Sequence, residues 1–494
     1  MPYVNIREID INPLSSFDTI ENAVLIFGFN FSKNLHATDV LDDEDDAAAR
    51  EELLAKKYKI YTSAVQFIKD IKLFGMDLKG LYSKPAMRPY VTAYDCLSKG
   101  LPVIYWPIDN YINSSASIVI PETSESEAKE MVIYQWLSDP DSIPAIPIDI
   151  IAYNVSEWKD LGIPFDQVED VYNVYKQVVV TSEGQVIEYG QNWAEEALSD
   201  TVEAIDNYIL SDRINLPFTF ITTCGYESIS RNISNSIMNR VGSRKDFVYL
   251  YDIEPVVSPE DLITEQDIDF SRSNPELINF VYPWGHYTAG LTNEALHMPG
   301  SYGYLMAYAN SIRSNKPWLA AAGITRGYIP NIRSVDYDIS EPYLHAFQGD
   351  PTPAGFIENP LTFRVNPIVN FGSNFGKIIF GNRTCDVSNE LVFRSFLNVR
   401  LLLVYIHKQA FNSSIQHMFE PNDDIVWLSF KQKVNSLLDQ MVTGRGLKWY
   451  KWYKLQPDTL GQIKAKLVIR PIEAVESFDI TIQMTDEDIE VTEG

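Results

Sequence analysis

The sequence predicts a mixed α/β fold divided into more than one domain. Short apolar runs alternate with helix-like segments from residue 193 onward, and the chain is 494 residues long. Such alternation is typical of parallel strands joined by crossover helices. Because a single core seldom grows beyond about 250–300 residues, we expect two or three domains.

The first elements are two short apolar runs, at residues 24–27 and 101–106, which predict buried strands. Residues 45–71 predict a helix with a turn. Residues 107–192 are rich in Pro and Ser, with scattered strand-like runs, and predict an inserted, protruding subdomain.

The pattern becomes regular after Trp193. It predicts a helix to about Leu210, a strand at Phe218–Thr222, a helix at Ile229–Val241 and a strand at Phe247–Tyr251. Residues 328–365 contain five prolines and predict a long loop.

The clearest single element is a helix after Asn422. Six apolar residues fall on one face, and Gly444 follows as a stop. These residues are Trp427, Phe430, Val434, Leu437, Leu438 and Met441. Basic residues lie on or just beyond the other side of this helix.

The formal net charge is −27, which disfavours nucleic acid as a partner because phosphate binding depends on clustered Lys and Arg. Residues 39–52 and residues 473–493 each contain eight acidic side chains, whereas residues 427–454 contain six basic ones and one acidic. Opposite charges on separate surfaces suit a subunit that stacks on copies of itself or on a second tube. Solvated faces without a partner explain each patch equally well.

No segment reaches the roughly 18 uninterrupted apolar residues of a transmembrane helix, so we expect no membrane insertion. Residues 1–11 contain charges and no apolar run, which argues against a secretory signal. Cys96, Cys224 and Cys385 form no Cys-x-x-Cys pair, so we expect neither a disulfide framework nor a zinc site, and a reducing cytoplasm as the setting.

Catalytic motifs are not found. Glycine-rich phosphate loops and the nucleophile elbow are missing, His407 and His417 lack a His-Glu-x-x-His pattern, and Asp42–Asp46 lacks the glycine turn of a calcium loop. Asp252 ends a predicted strand, where catalytic carboxylates occur, but no partner base or nucleophile accompanies it. We predict a protein that is not an enzyme, with no catalytic residue, cofactor or metal.

Both chain ends have the period-two pattern of a half-buried strand, with a one-residue phase change near the start that fits a bulge. The apolar positions are Val4, Ile6, Ile9, Ile11, Phe478, Ile480 and Ile482. Isolated terminal strands must pair with something to satisfy their backbone hydrogen bonds. Pairing within the subunit is the simpler interpretation from these residues alone.

Short motifs in the last part of the chain follow one another in a specific order. They are Val281–Trp284, Met298–Ser301, Pro317–Gly323, Arg326-Gly327, Asn366–Asn370, Gly376–Thr384, Phe396–Leu401 and Phe419–Asn422. In this order they resemble the contractile tail sheath proteins of bacteriophages. Those proteins carry a similar Asn-rich turn, a Gly-x-Arg-Thr element, an Asn-x-Arg strand and a Glu-Pro-Asn turn before a helix. The opening at residues 2–10 is also similar but lacks the family's glycine.

The resemblance covers both termini and residues 198–494, and it implies a tail-sheath fold. The core domain would be built from the N-terminal arm and the C-terminal third, beside an outer α/β domain and a protruding insertion. The implied division is an arm at 1–20, an outer domain at 21–106 and 193–330, an insertion at 107–192, a loop at 331–365, a core domain at 366–476 and an arm at 477–494.

The resemblance also implies a function. The subunit would form stacked hexameric rings around a tail tube and contract to drive the tube through a host envelope. The seven apolar arm positions would cross to neighbouring subunits, and Lys431, Lys433, Arg445 and Lys448 would contact an acidic tube. Baseplate and tail terminator proteins are further implied partners, and the implied location is the virion tail, assembled in the host cytoplasm.

Two alternatives stay open. The same polymer occurs in phage-derived contractile injection particles and bacteriocins, and the sequence does not separate these from a virus. A cytoplasmic α/β enzyme with an unrecognised site is the more distant alternative, which turnover of a small molecule or a tightly bound cofactor would favour.

Overall fold

The structure is a computed structural model, and it describes the larger part of the last 280 residues and shorter segments before them. The described residues are 22–29, 58–73, 88–108, 115–120, 129–135, 180–182, 185–187, 212–225, 231–253, 255, 257–264, 274–290, 295–313, 316–348, 363–387, 393–457 and 459–474. The predicted helix from Trp193 to Leu210 and both predicted terminal arms lie outside them.

The described strands belong to one large sheet and four small ones. They are β1 (Ala23–Phe29), β2 (Lys59–Tyr61), β3 (Val103–Ile108), β4 (Ser115–Ile120), β5 (Lys129–Gln135), β6 (Val180–Ser182), β7 (Gln185–Ile187), β8 (Phe218–Thr222), β9 (Val248–Tyr251), β10 (Ile278–Tyr282), β11 (Gly285–Thr288), β12 (Ala295–Met298), β13 (Ile332–Val335), β14 (Asn366–Asn370), β15 (Lys377–Ile379), β16 (Leu447–Leu455) and β17 (Lys464–Pro471).

The described helices are of very different lengths. They are α1 (Ala64–Leu73), α2 (Arg88–Ser98), α3 (Arg231–Arg244), α4 (Pro259–Thr264), α5 (Gly300–Ile312), α6 (Gly323–Arg326), α7 (Glu341–Gln348), α8 (Gly372–Phe375), α9 (Leu397–Gln416) and α10 (Asp424–Thr443). Two 3-10 turns, Pro275–Leu277 and Phe393–Ser395, precede β10 and α9.

The large sheet has eight strands in the order β15-β14-β10-β9-β8-β1-β3-β2. The six inner strands run parallel, and the edge strands β2 and β15 each pair antiparallel to their neighbour. The predicted mixed α/β fold is therefore confirmed. The strands predicted at residues 24–27, 101–106, 218–222 and 247–251 correspond to β1, β3, β8 and β9, within a few residues at their ends.

Helices cover both faces of this sheet. Val24 and Ile26 on β1 and Phe220 on β8 belong to one buried cluster with side chains of α2 and α5. On the other face, Tyr249 of β9 donates a hydrogen bond to Ser234 Oγ of α3 at 2.9 Å. Burial on both faces is expected for parallel strands, which read as continuous apolar runs for that reason.

Helix α5 can approach the sheet closely because it begins with glycine. A Cβ atom at Gly300 would lie 2.1 Å from the carbonyl oxygen of Val281 on β10. Any other residue would push the helix away from the strand, so the glycine of the Met-Pro-Gly-Ser motif is a packing requirement.

Helix α9 links the sheet to the C-terminal elements. Leu397, Leu401 and Val404 join the cluster under the sheet, whereas Leu402 and Tyr405 join a second cluster with α10 and the β16–β17 hairpin. A helix that is apolar around its circumference has to be buried on several sides, and 11 of its 20 residues are buried.

Helix α10 confirms the prediction made from its apolar face. Asp423 is the N-cap, and its side chain accepts a hydrogen bond from the Val426 backbone at 3.0 Å. Five of the six predicted face residues are buried, and Phe430 is half-buried against them. Gly444 follows the helix, but with a φ of −85°, and Arg445 adopts the left-handed conformation instead.

Three predicted segments need correction. Residues 59–61, predicted within a helix, form β2, because they add an antiparallel edge to β3. Residues 331–365, predicted as a loop, contain β13 and α7. The loop prediction relied on the prolines in this segment. Pro330 lies before β13, and Pro342 lies in the first turn of α7, where the backbone N–H that proline lacks has no partner within the helix.

The third correction concerns the predicted Asn-x-Arg strand. Asn398 and Arg400 lie in the first turn of α9. The domain division stays a prediction. The large sheet itself continues across residues 331–365, because β14 pairs with β10.

Candidate assembly site

The motifs that resemble the tail sheath family converge on a buried network of asparagine side chains. Asn366 Nδ2 donates to Asn279 Oδ1 at 2.7 Å and to the Arg383 carbonyl at 2.6 Å, and Asn366 Oδ1 accepts from the Arg383 backbone at 2.8 Å. Two motifs distant in sequence are thereby fixed to each other and to Asn279 of β10. The Asn366 amide is used as both donor and acceptor, which no apolar residue replaces.

Asn382, in the Gly-x-Arg-Thr element, caps the start of α9. Its carbonyl oxygen accepts from the Leu397 backbone at 2.9 Å and its Oδ1 from the Asn398 backbone at 3.2 Å. Its Nδ2 donates to Asn398 Oδ1 at 2.7 Å. The first amides of a helix have no partner within the helix, so Asn382 supplies what the N-cap Phe396 does not.

The two arginines of these motifs serve the same junction. The Arg383 guanidinium lies 4.0 Å from the centre of the Phe396 ring and donates from Nη1 to Ser395 Oγ at 2.7 Å. Arg400 Nη2 donates to the Lys245 carbonyl at 2.9 Å, which joins α9 to the turn after α3. Burial lowers the pKa of Arg400 to about 10. Both side chains are buried and act in packing.

The hairpin formed by β16 and β17 packs on α10. Tyr450 Oη donates to Asp439 at 2.6 Å, Trp452 Nε1 donates to Asn435 at 2.8 Å, and Lys454 Nζ contacts Asp424 at 2.6 Å. Within the described residues this sheet has two strands, so its outer edges carry backbone groups that pair with no described strand.

The four predicted tube-contact residues form two groups. Lys431 and Lys433 lie in the first half of α10, and Lys433 Nζ donates to Gln416 Oε1 at 2.6 Å. Arg445 and Lys448 follow the end of the helix, and Lys448 Nζ lies 4.0 Å from Glu473 Oε1. With a rise of about 1.5 Å per residue, Lys433 lies about 15 Å along the helix axis from the end of α10 at Thr443, so the two groups are well separated.

A groove of about 630 Å³ lies where the hairpin meets the edge of the large sheet. Arg326, Arg383 and Arg445 line it together with the acidic residues Glu341 and Glu473. The last described residues, 472–474, also line it. The C-terminal chain therefore leaves the described part of the molecule from this groove.

The carboxylate weighed as a catalytic candidate has a structural role. Asp252 is fully buried at the end of β9, where its Oδ1 accepts from the Ser301 backbone at 2.9 Å and its Oδ2 accepts from Ser301 Oγ at 2.5 Å. The carboxylate thus holds the N-terminus of α5, a position that favours negative charge.

One polar cluster was not predicted from the sequence. His286 and His297 face each other on β11 and β12, with ring centres 4.9 Å apart. Asp336 Oδ2 lies 2.6 Å from His297 Nε2, and Asp336 Oδ1 lies 3.7 Å from His286 Nδ1. The sequence spacing of His286 and His297 does not indicate this contact, because the register of β11 and β12 brings the two rings together. Across the described segments, no group of three or more His, Cys, Asp or Glu is arranged to hold a metal.

The remaining sequence expectations concern cysteines, membrane helices and the arms. Cys96, Cys224 and Cys385 are buried free thiols, and burial raises the pKa of Cys96 and Cys385. None of the helices in the described ranges is both long and apolar enough to span a bilayer. The seven predicted strand-exchange residues of the arms lie outside the described residues, at positions 4 to 11 and 478 to 482.

A related sequence is the tail sheath protein of Vibrio phage KVP40 (isolate Vibrio parahaemolyticus/Japan/Matsuzaki/1991), which is 20% identical over 221 residues. The match covers 44% of this chain and 30% of the phage protein, so it spans less than a third of that relative's length. No protein-family model matches the chain.

Two solved structures share the fold over nearly their whole length. One is a chain of the PVC sheath complex, an extracellular contractile injection system in its contracted state. It has a TM-score of 0.53 and 13% identity and covers 99% of this chain and 98% of that chain. The other is a chain of the anti-feeding prophage baseplate, with a TM-score of 0.51, 12% identity and coverage of 98% and 99%. The predicted resemblance is confirmed: this chain is similar over 221 residues to a phage tail sheath protein, and it shares the fold of a chain of the PVC sheath complex.

Proposed function

We propose that this protein is the structural subunit of a contractile tail sheath. It would polymerise as stacked hexameric rings around a tail tube and shorten to drive that tube through a host envelope. The observation that carries this proposal is the fold shared with the PVC sheath complex over 98% or more of both chains. The role is one of assembly, and we propose no catalytic step.

The β16–β17 hairpin is the place where the terminal arms would connect neighbouring subunits. Among the described residues its two outer edges pair with no further strand and offer backbone donors and acceptors, and the alternating arm residues at 4–11 and 478–482 have the pattern of added strands. Strand addition joins subunits through many backbone hydrogen bonds. A mesh joined in this way would stay connected while the subunits change their mutual positions.

The subunit bodies would move as rigid units during contraction. The buried asparagine network and the two apolar clusters around α9 support this, since packed cores change little when interfaces rearrange. The energy would come from new contacts between subunits, with no nucleotide hydrolysed. A baseplate would trigger the change.

Tube contact would involve two basic groups, Lys431 with Lys433 and Arg445 with Lys448, each facing acidic tube residues. Further partners would be the tube, baseplate and tail terminator proteins, without direct contact to nucleic acid and without membrane insertion. The location would be the virion tail, assembled in the host cytoplasm.

A second candidate is the sheath of a phage-derived contractile injection particle or bacteriocin. The two structures with the shared fold favour it, since both belong to such particles by their descriptions. Infectious particles purified from the source would identify the virus. Particles without a DNA-filled head would identify the injection system.

The experiment is negative-stain microscopy of the purified full chain beside a version lacking residues 1–12. We expect hollow tubes from the full chain and their loss on truncation. If neither protein assembles, even with a tube protein present, the sheath proposal is wrong, and a search for a bound cofactor becomes the next step.

A further inference from the structure

The β16–β17 hairpin has a second face that the described elements leave largely uncovered, apart from one end, where the Arg470 guanidinium lies 4.7 Å from the Phe393 ring centre. Tyr450, Trp452, Leu467 and Ile469 pack against the cluster formed by α9 and α10. Because side chains alternate along a strand, the residues between them lie on the opposite face. This outer hairpin face consists of Trp449, Lys451, Tyr453, Leu455, Lys464, Lys466, Val468 and Arg470.

Large apolar side chains are exposed on this face. Trp449 is 50% exposed, Tyr453 43% and Leu455 39%. Lys451 Nζ lies 5.1 Å from the Tyr453 ring centre, so the basic and aromatic groups are interleaved. Aromatic side chains beside cations are typical of the centres of protein interfaces.

The charge of the hairpin is opposite to that of the whole chain. Strands β16 and β17 contain six basic residues and no acidic one, in a chain with a formal net charge of −27. Lys454 faces α10, where it contacts Asp424, whereas Lys451, Lys464, Lys466 and Arg470 belong to the outer face. The excess of carboxylates therefore lies elsewhere in the chain.

We propose that the outer hairpin face binds an acidic surface of a second copy of this chain. Charge complementarity supports this occupant, because every copy brings both the basic hairpin and the acidic runs at residues 39–52 and 473–493. Basic and aromatic side chains also suit single-stranded nucleic acid. Every second copy already supplies the acidic runs that the contact needs, and binding to nucleic acid is an outcome that the tests below distinguish.

We take the contact to be head-to-tail, because the basic and acidic surfaces belong to different parts of one chain. A contact between two different surfaces repeats from copy to copy and produces rings or helical polymers. This inference rests on the proposed function and adds to it. The contact uses side chains on a sheet face, whereas the exchanged arms would use the sheet edges.

The first test is carbodiimide cross-linking of an equal mixture of ¹⁴N- and ¹⁵N-labelled full-length chains. This reagent joins a lysine directly to a touching carboxylate, and the isotope pair identifies links between copies by mass spectrometry. We expect inter-copy links from Lys451, Lys464 or Lys466 to Asp or Glu. They should disappear at about 1 M NaCl, where the Debye length is about 3 Å.

The second test is the double variant Lys451→Glu with Lys466→Glu. Its charge-matched control is Arg313→Glu with Lys316→Glu, at two exposed positions near the end of α5. We expect the hairpin variant to raise the protein concentration needed for pelleting at least about tenfold, which corresponds to about 1.4 kcal/mol per contact. The control should pellet like the wild type, and thermal melting confirms that all three proteins are folded.

The outcomes separate this inference from the proposed function. Hollow tubes without inter-copy links to hairpin lysines overturn the inference and leave the sheath proposal intact. Hairpin links without tubes support the inference and count against the sheath. The absence of any inter-copy link from these lysines overturns it. Binding of an oligo-dT probe by the wild type also overturns the inference, if the hairpin variant loses that binding and no inter-copy link forms.

Discussion

At the scale of single residues, the motifs that resemble the sheath family are explained by burial. Asn366 and Asn382 are buried amides whose hydrogen bonds join β14, β10 and the start of α9. Such groups have fixed identities because a buried donor or acceptor without a partner is costly. These motif residues therefore stabilise the fold, and the residues that would contact partners lie elsewhere.

Replacing Asn366 with Ala should lower the free energy of unfolding by about 2–4 kcal/mol, because three hydrogen bonds are lost and the Arg383 amide stays buried. The control is Asn370→Ala, at the exposed end of the same strand, with an expected loss below about 1 kcal/mol. Urea unfolding measures both. Equal losses would show that the network does not stabilise the fold.

Asp95 should make stability depend on pH. Its carboxylate accepts from Tyr302 Oη at 2.6 Å and from the Gly290 backbone at 3.2 Å, and burial raises its pKa despite these bonds. A raised pKa in the folded state favours the protonated form. Its stabilising contribution is therefore complete below the unfolded-state pKa of about 3.9 and is lost as the pH rises through the folded-state pKa.

The variant Asp95→Asn removes this titration. We expect its free energy of unfolding, relative to the wild type, to increase as the pH is raised from about 4 to about 7. Urea unfolding at several pH values measures this slope, which is independent of any constant cost of the substitution. Parallel curves for the two proteins, or a slope of opposite sign, would contradict the account.

Residue-level contacts could be predicted only in part. The spacing of Asn382 and Asn398 gives no indication that one caps the helix containing the other. His286 and His297 come together through the register of β11 and β12, which is a property of the paired strands. The sequence places Asp252 at the end of a strand, but it gives no indication of the hydrogen bonds to Ser301.

At the scale of elements, the helices and strands predicted most accurately have a single clear period. The alternation around β8, α3 and β9 indicates parallel strands because every element there is short and bounded by polar residues. Helix α9 was mistaken at its start because it is apolar on several sides and its first residues match the family's Asn-x-Arg strand. Its burial between two clusters explains that composition.

The N-cap of α10 offers a test at this scale. Asp423→Ala should lower the free energy of unfolding by about 1 kcal/mol, because the Val426 amide loses its acceptor. Asp424→Ala is the matched control: it removes the same charge one residue later and breaks only an exposed contact with Lys454. We expect a smaller loss there. If the control is the more damaging variant, the cap assignment is wrong.

At the scale of the whole molecule, α9 joins two apolar clusters, one under the large sheet and one shared with α10 and the hairpin. The domain division predicted from the sequence stays a prediction, since the arms and most of residues 107–192 lie outside the described residues. Sequence alone does not define the contacts between copies because they depend on surfaces that only the assembly brings together. Charge distribution is the part of that information which the sequence does contain.

The proposed contact between the basic groups on and after α10 and the tube can be tested by charge reversal. Lys431→Glu with Lys433→Glu should weaken binding to a tube protein about tenfold or more, because two attractive contacts become repulsive. Arg313→Glu with Lys316→Glu is the charge-matched control. Co-sedimentation of each folded variant with preformed tubes measures the effect. Equal retention of both variants on the tubes would place the tube contact elsewhere.

The most direct test of the sheath account is cryo-EM of the polymer formed by the full chain. The account predicts rings with six-fold symmetry in which the two-stranded β16–β17 sheet gains strands from the terminal arms of neighbouring subunits. A polymer without six-fold rings, or a hairpin whose edges pair only with arms of its own subunit, would contradict it.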